Sequence, residues 1–181
     1  MKLQLLLVSL LFSVSSIYSQ SNNEFIEAVR DSDFEKVKIL LKTKVNLNAT
    51  DSREMTPLLL SSADNNLEMV KLLVEAGADV NRKHKETGKN ALIYASANGH
   101  LDILRYLLAR PEILVNAKDK EGKTALIHAV FYARKETISI LLNNKANPNA
   151  RTNVDESALG FALKGGRPEI VSLLRQAGAR E

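Results

Sequence analysis

The chain of 181 residues contains no cysteine. A disulfide framework, a thiolate zinc site, an iron–sulfur cluster and a cysteine nucleophile are therefore all excluded. Tryptophan is also absent, and aromatic residues make up only 5% of the chain. That fraction is low for an all-β sandwich or barrel and favours a helical fold. Only three histidines are present, which leaves little material for a histidine metal site.

An excess of charge of one sign is also lacking. The chain has 25 basic and 21 acidic residues, for a formal net charge of +4. A nucleic-acid-binding domain concentrates far more positive charge on one face, so we expect no nucleic-acid partner. Hydrophobic residues account for 45% and charged residues for 25% of the chain. These proportions exclude a disordered chain, a collagen and a polytopic membrane protein.

The first nineteen residues have the organisation of a secretory signal peptide. Lys2 gives a short basic start, residues 5–12 are almost wholly apolar, and four serines follow. This order predicts cleavage after Ser19, and the apolar run is shorter than the roughly 20 residues of a membrane span. We expect residues 1–19 to be removed and residues 20–181 to be exported, with no membrane attachment afterwards. The alternative is a buried N-terminal helix, which fits the serine-rich end less well.

The remainder of the chain repeats a six-residue phrase at intervals of 33 or 34 residues. Each copy opens with Asn, Thr or Ser, has Leu or Phe at its third position and ends with Ala or Ser. Because Asn, Thr and Ser are favoured N-caps, each copy predicts the start of a first helix. The copies occupy residues 23–28, 56–61, 90–95, 124–129 and 157–162.

A second helix is predicted after each first helix. Its apolar residues recur at i, i+3, i+5 and i+6, as in Leu101, Leu104, Tyr106 and Leu107. Such a broad apolar face must be covered on more than one side, which predicts a stack of units. Each of the first four units then passes through an asparagine, at Asn48, Asn81, Asn116 and Asn149.

These phrases resemble the ankyrin repeat. The resemblance is carried by Thr56-Pro57-Leu58, by Asn98-Gly99-His100-Leu101 and by the runs over residues 72–81 and 116–124. It covers residues 22–181 and implies an all-α ankyrin-repeat solenoid of about five helix–turn–helix repeats with hairpin loops. The domain would span residues 20–181, with repeats at about 22–52, 53–86, 87–120, 121–153 and 154–181.

The chain departs from the usual ankyrin pattern in two respects. The histidine usual at the fourth position of the opening phrase is absent, so packing must replace its hydrogen bonds. The segments 81–90 and 110–116 each contain one extra residue, which we place in loops, where insertions cost little.

No residue pattern supports catalysis or cofactor binding. The segment 113–124 imitates a strand leading into a phosphate loop, but Ala117 stands where that loop needs glycine. The same segment aligns with three hairpins that lack Gly-Lys-Thr. His84, His100 and His128 fall in different repeats without metal-ligand spacing, and no nucleophile elbow surrounds a serine. We expect no enzymatic activity, no cofactor and no metal.

The best candidates for partner binding are two adjacent aromatic residues. Phe131 and Tyr132 occupy variable positions late in the fourth first helix, where the other copies carry small or polar residues. The resemblance implies that these positions and the hairpin tips line a concave groove. Phe131 either folds over a neighbouring repeat or faces a partner; Tyr132 is expected to face the partner. The candidate set is Phe131, Tyr132, Asp64, Asn98, Lys83, Lys85 and Lys120.

Basic residues cluster in the hairpin over residues 82–89. This cluster is either an ordinary solvated loop or one side of the groove that steers an acidic partner. We expect a monomeric, non-catalytic protein-binding module of the periplasm or cell exterior, in a chain of bacterial composition. The alternative is an accessory or stabiliser of one exported enzyme. Resemblance to exported bacterial ankyrin proteins suggests a catalase in peroxide defence.

Overall fold

A computed structural model describes residues 20–180, and the predicted signal peptide over residues 1–19 lies outside them. The described part folds into ten α-helices, and its only β feature is an isolated antiparallel bridge between Arg151 and Ser157. The fold is therefore all-α, as predicted. The helices are α1 (20–30), α2 (Phe34–Leu41), α3 (Pro57–Ala63), α4 (Leu67–Glu75), α5 (Ala91–Asn98), α6 (Leu101–Leu108), α7 (Ala125–Phe131), α8 (Lys135–Asn143), α9 (Ala158–Lys164) and α10 (Pro168–Gln176).

Consecutive helices pair into five repeats, named one to five, and the first helices of repeats two to five begin at the predicted caps. In repeat one the prediction of a cap at Asn23 was wrong, because Asn23 lies inside α1. The side chains of Asn90 and Ser157 accept hydrogen bonds from the backbone N–H three positions on, at 3.0 and 3.1 Å. Thr56 and Thr124 do the same at 3.3 and 3.4 Å. Each cap satisfies an N–H that has no partner inside its helix, which fixes the helix start at that residue.

The residue before the second helix ties each of the last three repeats to the preceding one. His100, Arg134 and Arg167 each donate a side-chain hydrogen bond to a carbonyl at the end of the preceding repeat's first helix, at 3.0 Å. Those carbonyls have no partner inside their own helix. The two arginines also place positive charge at the negative end of the helix dipole, a favourable arrangement.

First helices form one layer and second helices form another. In the first layer α3, α5, α7 and α9 contact one another in succession, and in the second α4, α6 and α8 do so. One continuous apolar core runs through all five repeats. In each repeat at least one leucine or phenylalanine of this core is 0% exposed: Phe25, Leu73, Leu107, Leu141 and Leu174. Each repeat is therefore stabilised by its neighbours rather than by itself.

The loops after the second helices are held together by asparagine side chains. Asn81 donates to a backbone carbonyl of repeat three at 2.8 Å and accepts from a backbone N–H there at 2.9 Å. Asn116 and Asn149 make the same two hydrogen bonds with the following repeat. Among the described residues, Asn48 makes just one, accepting from the N–H of Asp79 at 3.4 Å.

Four hairpins, named one to four, connect the repeats over residues 50–55, 81–89, 117–123 and 150–156. The tips of hairpins two and three are joined by a hydrogen bond from the N–H of Lys120 to the carbonyl of Thr87 at 3.0 Å. An equivalent bond of 2.9 Å joins Asn153 to Glu121 in hairpins four and three. Gly122 has φ +78°, and a Cβ there would lie 2.7 Å from the backbone nitrogen of Asn153. The positive φ favours glycine, and the close contact leaves no room for a Cβ.

The turn that closes hairpin two is one residue longer than the turns that close the other hairpins, as predicted. Its closing hydrogen bond, of 2.8 Å, runs from the N–H of His84 to the carbonyl of Lys89, five residues on. The equivalent bond in hairpin three joins Asp119 to Lys123, only four residues on, at 3.0 Å. The extra residue therefore lengthens the tip and leaves the helices in register.

Candidate protein-binding surface

Phe131 and Tyr132 are partly exposed at the end of α7. Phe131 is the last residue of α7 and Tyr132 is its C-cap, and the two side chains are 45% and 46% exposed. Their ring centroids are 5.1 Å apart in an edge-to-face arrangement, a favourable geometry for aromatic pairs. The two rings hold each other in place while presenting apolar area to solvent.

Phe131 combines the two roles that the sequence left open. Its ring meets the ring of Phe161, on α9 of the next repeat, edge to face at 5.7 Å. The ammonium group of Lys123 lies 5.3 Å from the centre of the Phe131 ring and 6.0 Å from that of Phe161. At these distances a cation is attracted to the ring face. Phe131 thus packs on repeat five and remains partly open to a partner.

A buried histidine–aspartate pair lies beneath Tyr132. His128 Nε2 donates to Asp119 Oδ2 at 2.7 Å, while Asp119 Oδ1 accepts from the backbone N–H groups of Glu121 and Lys123, both at 2.9 Å. Burial lowers the pKa of His128 below its ordinary value, against the opposing effect of the Asp119 carboxylate. The Tyr132 ring stacks over the imidazole at 6.5 Å. The pair therefore braces hairpin three against α7 and supports the tyrosine.

Repeat three adds a fourth aromatic residue and a second lysine. Tyr94 is half-buried, its hydroxyl donates to the sulfur of Met55 at 3.5 Å, and burial raises the pKa of its phenol. The ammonium group of Lys89 lies 6.0 Å from the Tyr94 ring. We name these residues together the aromatic–lysine patch: Lys89, Tyr94, Lys123, Phe131, Tyr132 and Phe161.

Asp64 and Asn98 occupy the position of Tyr132 in repeats two and three. Both are exposed, and Asn98 donates from its side-chain amide to the carbonyl of Ala63 at 3.2 Å. Asp64 is the C-cap of α3. The same position therefore changes from a carboxylate through an amide to an aromatic ring along the stack. Their role in partner binding stays a prediction.

The predicted lysines of hairpins two and three divide into two kinds. The ammonium group of Lys83 donates to the carbonyl of Lys118 at 2.7 Å, and that of Lys85 pairs with Glu54 at 3.3 Å. These two side chains tie hairpin two to hairpins three and one. Lys120 is exposed, and its side chain makes no hydrogen bond or ion pair with another described residue. Lys120 is thus the member of this set most available to a partner.

His84 differs from what its place in a basic run suggests. It is only 7% exposed, so it is not part of a solvated basic loop. Its Nδ1 accepts from the N–H groups of Glu86 and Thr87, both at 3.2 Å, and its Nε2 donates to the carbonyl of Arg53 at 2.8 Å. His84 takes the position that Asp119 holds in hairpin three, and it closes the turn in the same way.

Sequence reasoning missed three contributors to the patch. Tyr94 and Phe161 share the fifth position of the repeated phrase with His128, and Lys123 immediately precedes a helix cap. The available signal was this shared position. Residues at one position of the repeated phrase form a column along the stack, and a column faces one side of it. That signal could have added both aromatic residues, whereas the position of the lysine depends on its side-chain conformation.

The phosphate-loop imitation has a structural explanation. Gly122 forms a hairpin tip with positive φ and Thr124 caps α7, as the repeat predicted. In residues 20–180, no three histidine, aspartate or glutamate side chains come together as a possible metal site. None of the helices described is both long and apolar enough to cross a membrane.

Comparison with known proteins agrees with this geometry. A family model described as ankyrin repeats (three copies) matches residues 25–119 and 111–180. The chain is 27% identical over 194 residues to the ankyrin repeat protein YahD of Escherichia coli (strain K12), covering 86% of this chain and 96% of that protein.

Two further relatives are larger. Protein FPV031 of Fowlpox virus (strain NVSL) is 32% identical over 163 residues, covering 84% of this chain and 47% of that protein. The ankyrin repeat and KH domain-containing protein mask-1 of Caenorhabditis elegans is 33% identical over 141 residues, covering 77% and 5% respectively. The chain therefore spans nearly all of one relative, about half of the second and a small part of the third. The repeated helix pairs, the capped first helices and the matching family model show that the chain belongs to the ankyrin-repeat family.

Proposed function

We propose that this protein is an exported, non-catalytic binding module that holds a partner protein across the aromatic–lysine patch and the neighbouring hairpin tips. Ankyrin repeats generally mediate protein–protein interactions, and the family is generally non-catalytic. The observation that carries the proposal is the exposure of Phe131 and Tyr132, 45% and 46%, side by side at positions where other repeats are small or polar. Exposed aromatic residues of this kind often anchor interfaces.

The polar groups near these rings support binding rather than chemistry. Asp119 uses both carboxylate oxygens on hairpin three and His128. His128 is 4% exposed and lies beneath Tyr132, so a substrate has no direct access to it. The histidine–aspartate pair therefore acts as a support for the binding surface.

Export rests on the sequence of residues 1–19. If they form a cleaved signal, the protein isolated from its own cells begins at or near Gln20. Intact-mass measurement of that protein tests the proposal, with the unprocessed chain made in a cell-free system as the mass control. Isolation of a full-length chain from the cytosol would contradict it.

Affinity capture from an extract of the source cells tests the binding function. The parent protein and the Phe131→Ala/Tyr132→Ala variant serve as baits, followed by mass spectrometry. The matched control is Ile39→Ala, which removes a 61% exposed apolar side chain from α2, outside the patch. We expect a protein retained by the parent and by the control but lost from the double variant.

The identity of the retained proteins then refines the function. A single dominant enzyme would support the accessory role that the sequence suggested as an alternative, with a catalase as its concrete form. Several unrelated proteins would indicate a more general scaffold. Equal retention by all three baits would place the interface on another face of the stack.

A further inference from the structure

The hairpins differ in how their cations are neutralised. In hairpin one Arg53 pairs with Asp51, and in hairpin four Arg151 pairs with Asp155, both at 3.3 Å. Hairpins two and three carry five cations that have no carboxylate of any described residue within 4.0 Å. These unpaired cations are Arg82, Lys83, Lys89, Lys118 and Lys120. Among the four hairpins, cations without a carboxylate partner in the described chain therefore occur in hairpins two and three.

Two of these cations stand together at the edge of the patch. The backbone N–H of Lys120 donates to the carbonyl of Thr87 at 3.0 Å, and that of Lys89 donates to the Thr87 hydroxyl at 3.4 Å. Thr87 thus holds the backbones of both lysines close together. Lys83 and Lys118 instead spend their ammonium groups on backbone carbonyls, at 2.7 and 2.9 Å.

The same region also offers apolar contact area. Lys89 lies over Tyr94 and Lys123 over Phe131 and Phe161. The charges of Lys89 and Lys123 also lower the pKa of His128, which burial already lowers. A partner segment that carries both carboxylates and apolar side chains would complement these cations and rings.

We propose that the partner segment held by this patch is an acidic stretch of protein chain that also carries apolar side chains. Its carboxylates lie at Lys89 and Lys120, and its apolar side chains contact Phe131 and Tyr132. The inference rests on the proposed function and adds the chemistry of the partner. Charge complementarity of this kind raises the association rate and selects among partners.

A nucleic acid fits the same surface less well. Two acidic residues are interspersed among the cations, Glu86 and Glu121, and the side chain of Glu121 is 68% exposed. A phosphodiester backbone places a negative charge at every step and would meet these carboxylates. A peptide can place its few carboxylates at the lysines and leave neutral residues opposite the glutamates.

Defined peptides test the inference with the intact mature protein. Fluorescence anisotropy is measured with a labelled twelve-residue peptide in which glutamate alternates with leucine and tyrosine. Two control peptides replace either its glutamates by lysine or its apolar residues by serine, and an oligothymidylate of equal charge serves as a third probe. We expect the acidic apolar peptide to bind roughly tenfold more tightly than each of the others.

Charge reversal then locates the site. Lys89→Glu with Lys120→Glu should weaken binding of the acidic peptide by at least about tenfold at low salt and by much less at about 0.5 M salt. The matched control is Lys44→Glu with Lys145→Glu, which makes the same change of charge in exposed loops after second helices. It should change affinity by less than about twofold. Thermal unfolding followed by circular dichroism checks that both variants fold.

The inference would be overturned if the acidic apolar peptide showed no measurable binding, if the lysine peptide bound as tightly, or if the oligothymidylate bound more tightly. It would also be overturned if the Lys44→Glu/Lys145→Glu control weakened binding as much as the Lys89→Glu/Lys120→Glu variant. Its failure is distinguishable from failure of the proposed function. If a captured partner loses affinity on Tyr132→Ala but not on reversal of Lys89 and Lys120, the patch binds protein and the acidic assignment is wrong.

Discussion

Repeats two and four use one backbone frame for different purposes. Their core positions are equivalent, since Leu73 and Leu141 are both 0% exposed. Their outer positions are not, because repeat two carries the carboxylate of Asp64 where repeat four carries Tyr132. The difference teaches that packing in this stack is set by one group of columns and recognition by another, so the two can be changed separately.

Substitutions at the buried core positions should lower the free energy of unfolding most, and by the same amount in repeats two and four. Leu73→Ala and Leu141→Ala each remove a fully buried side chain, so each is expected to lower the free energy of unfolding by about 2–5 kcal/mol. Urea unfolding measures both. Values that differ by more than about 2 kcal/mol would mean that the repeats do not share equivalent cores.

Substitutions at the hairpin tips that precede repeats two and four should differ in their effect on stability. Gly122→Ala places a Cβ at φ +78° and within 3.0 Å of the backbone of hairpin four. We expect a loss of about 2–4 kcal/mol from the backbone conformation and the broken contact between tips.

Glu54 is the matched control, because it holds the equivalent tip position with φ 59° and already carries a Cβ. Glu54→Ala should cost less than about 1 kcal/mol, through its exposed pair with Lys85. Thermal unfolding of both variants makes the comparison, and a Gly122→Ala variant as stable as the parent would show that the tips move apart freely.

Substitutions at the exposed position held by Asp64 in repeat two and Tyr132 in repeat four should differ in their effect on partner binding rather than on stability. Tyr132→Ala is expected to weaken partner binding by about 2 kcal/mol, and Asp64→Ala by less than about 0.5 kcal/mol. Isothermal titration calorimetry with the captured partner measures both. A larger effect at Asp64 would move the centre of the interface toward repeat two.

The fifth position of the repeated phrase, Leu60 in repeat two and His128 in repeat four, should make the two repeats respond differently to pH. Because burial lowers the pKa of His128, the unfolded chain takes up that proton first as the pH falls below about 6.5. The folded protein should therefore lose stability between pH 7.5 and pH 5.5, by at most about 1.4 kcal/mol per pH unit from this group. Repeat two carries Leu60 at the equivalent position, so His128→Leu supplies the comparison.

The difference between the two pH slopes isolates His128. The variant leaves Asp119 Oδ2 without the imidazole, so its absolute stability falls, whereas the other histidines are the same in both proteins. Urea unfolding at the two pH values gives the slopes. Identical slopes would show that His128 contributes no stability that depends on pH.

The sequence was sufficient for the parts of the fold that depend on local signals. Caps such as Asn90, the tip glycine Gly122 and the extra residue of hairpin two are each specified within a few residues, and each was predicted correctly. The exposure of Tyr132 also followed from its position in the repeat, since equivalent positions keep the same orientation along a stack, whereas the sequence left the placing of Phe131 open.

Contacts between side chains of different repeats could not be predicted in this way. The burial of His84, the pairing of Lys85 with Glu54 and the placing of Lys123 over two rings all depend on the small rotation between neighbouring repeats and on rotamers. A basic run in the sequence therefore suggested more free charge than hairpin two presents. Long side chains that bridge repeats neutralise part of it.

The asparagine hydrogen bonds between the loops after the second helices determine the order in which the repeats should unfold under a stretching force. Tension applied at the two ends passes through these joints in series, so every joint carries the same force and the weakest opens first. Asn81, Asn116 and Asn149 each hold two hydrogen bonds, whereas Asn48 holds one of 3.4 Å within the described chain. Repeat one should therefore peel away before the others, and the surface built by repeats three to five should outlast the loss of its far end.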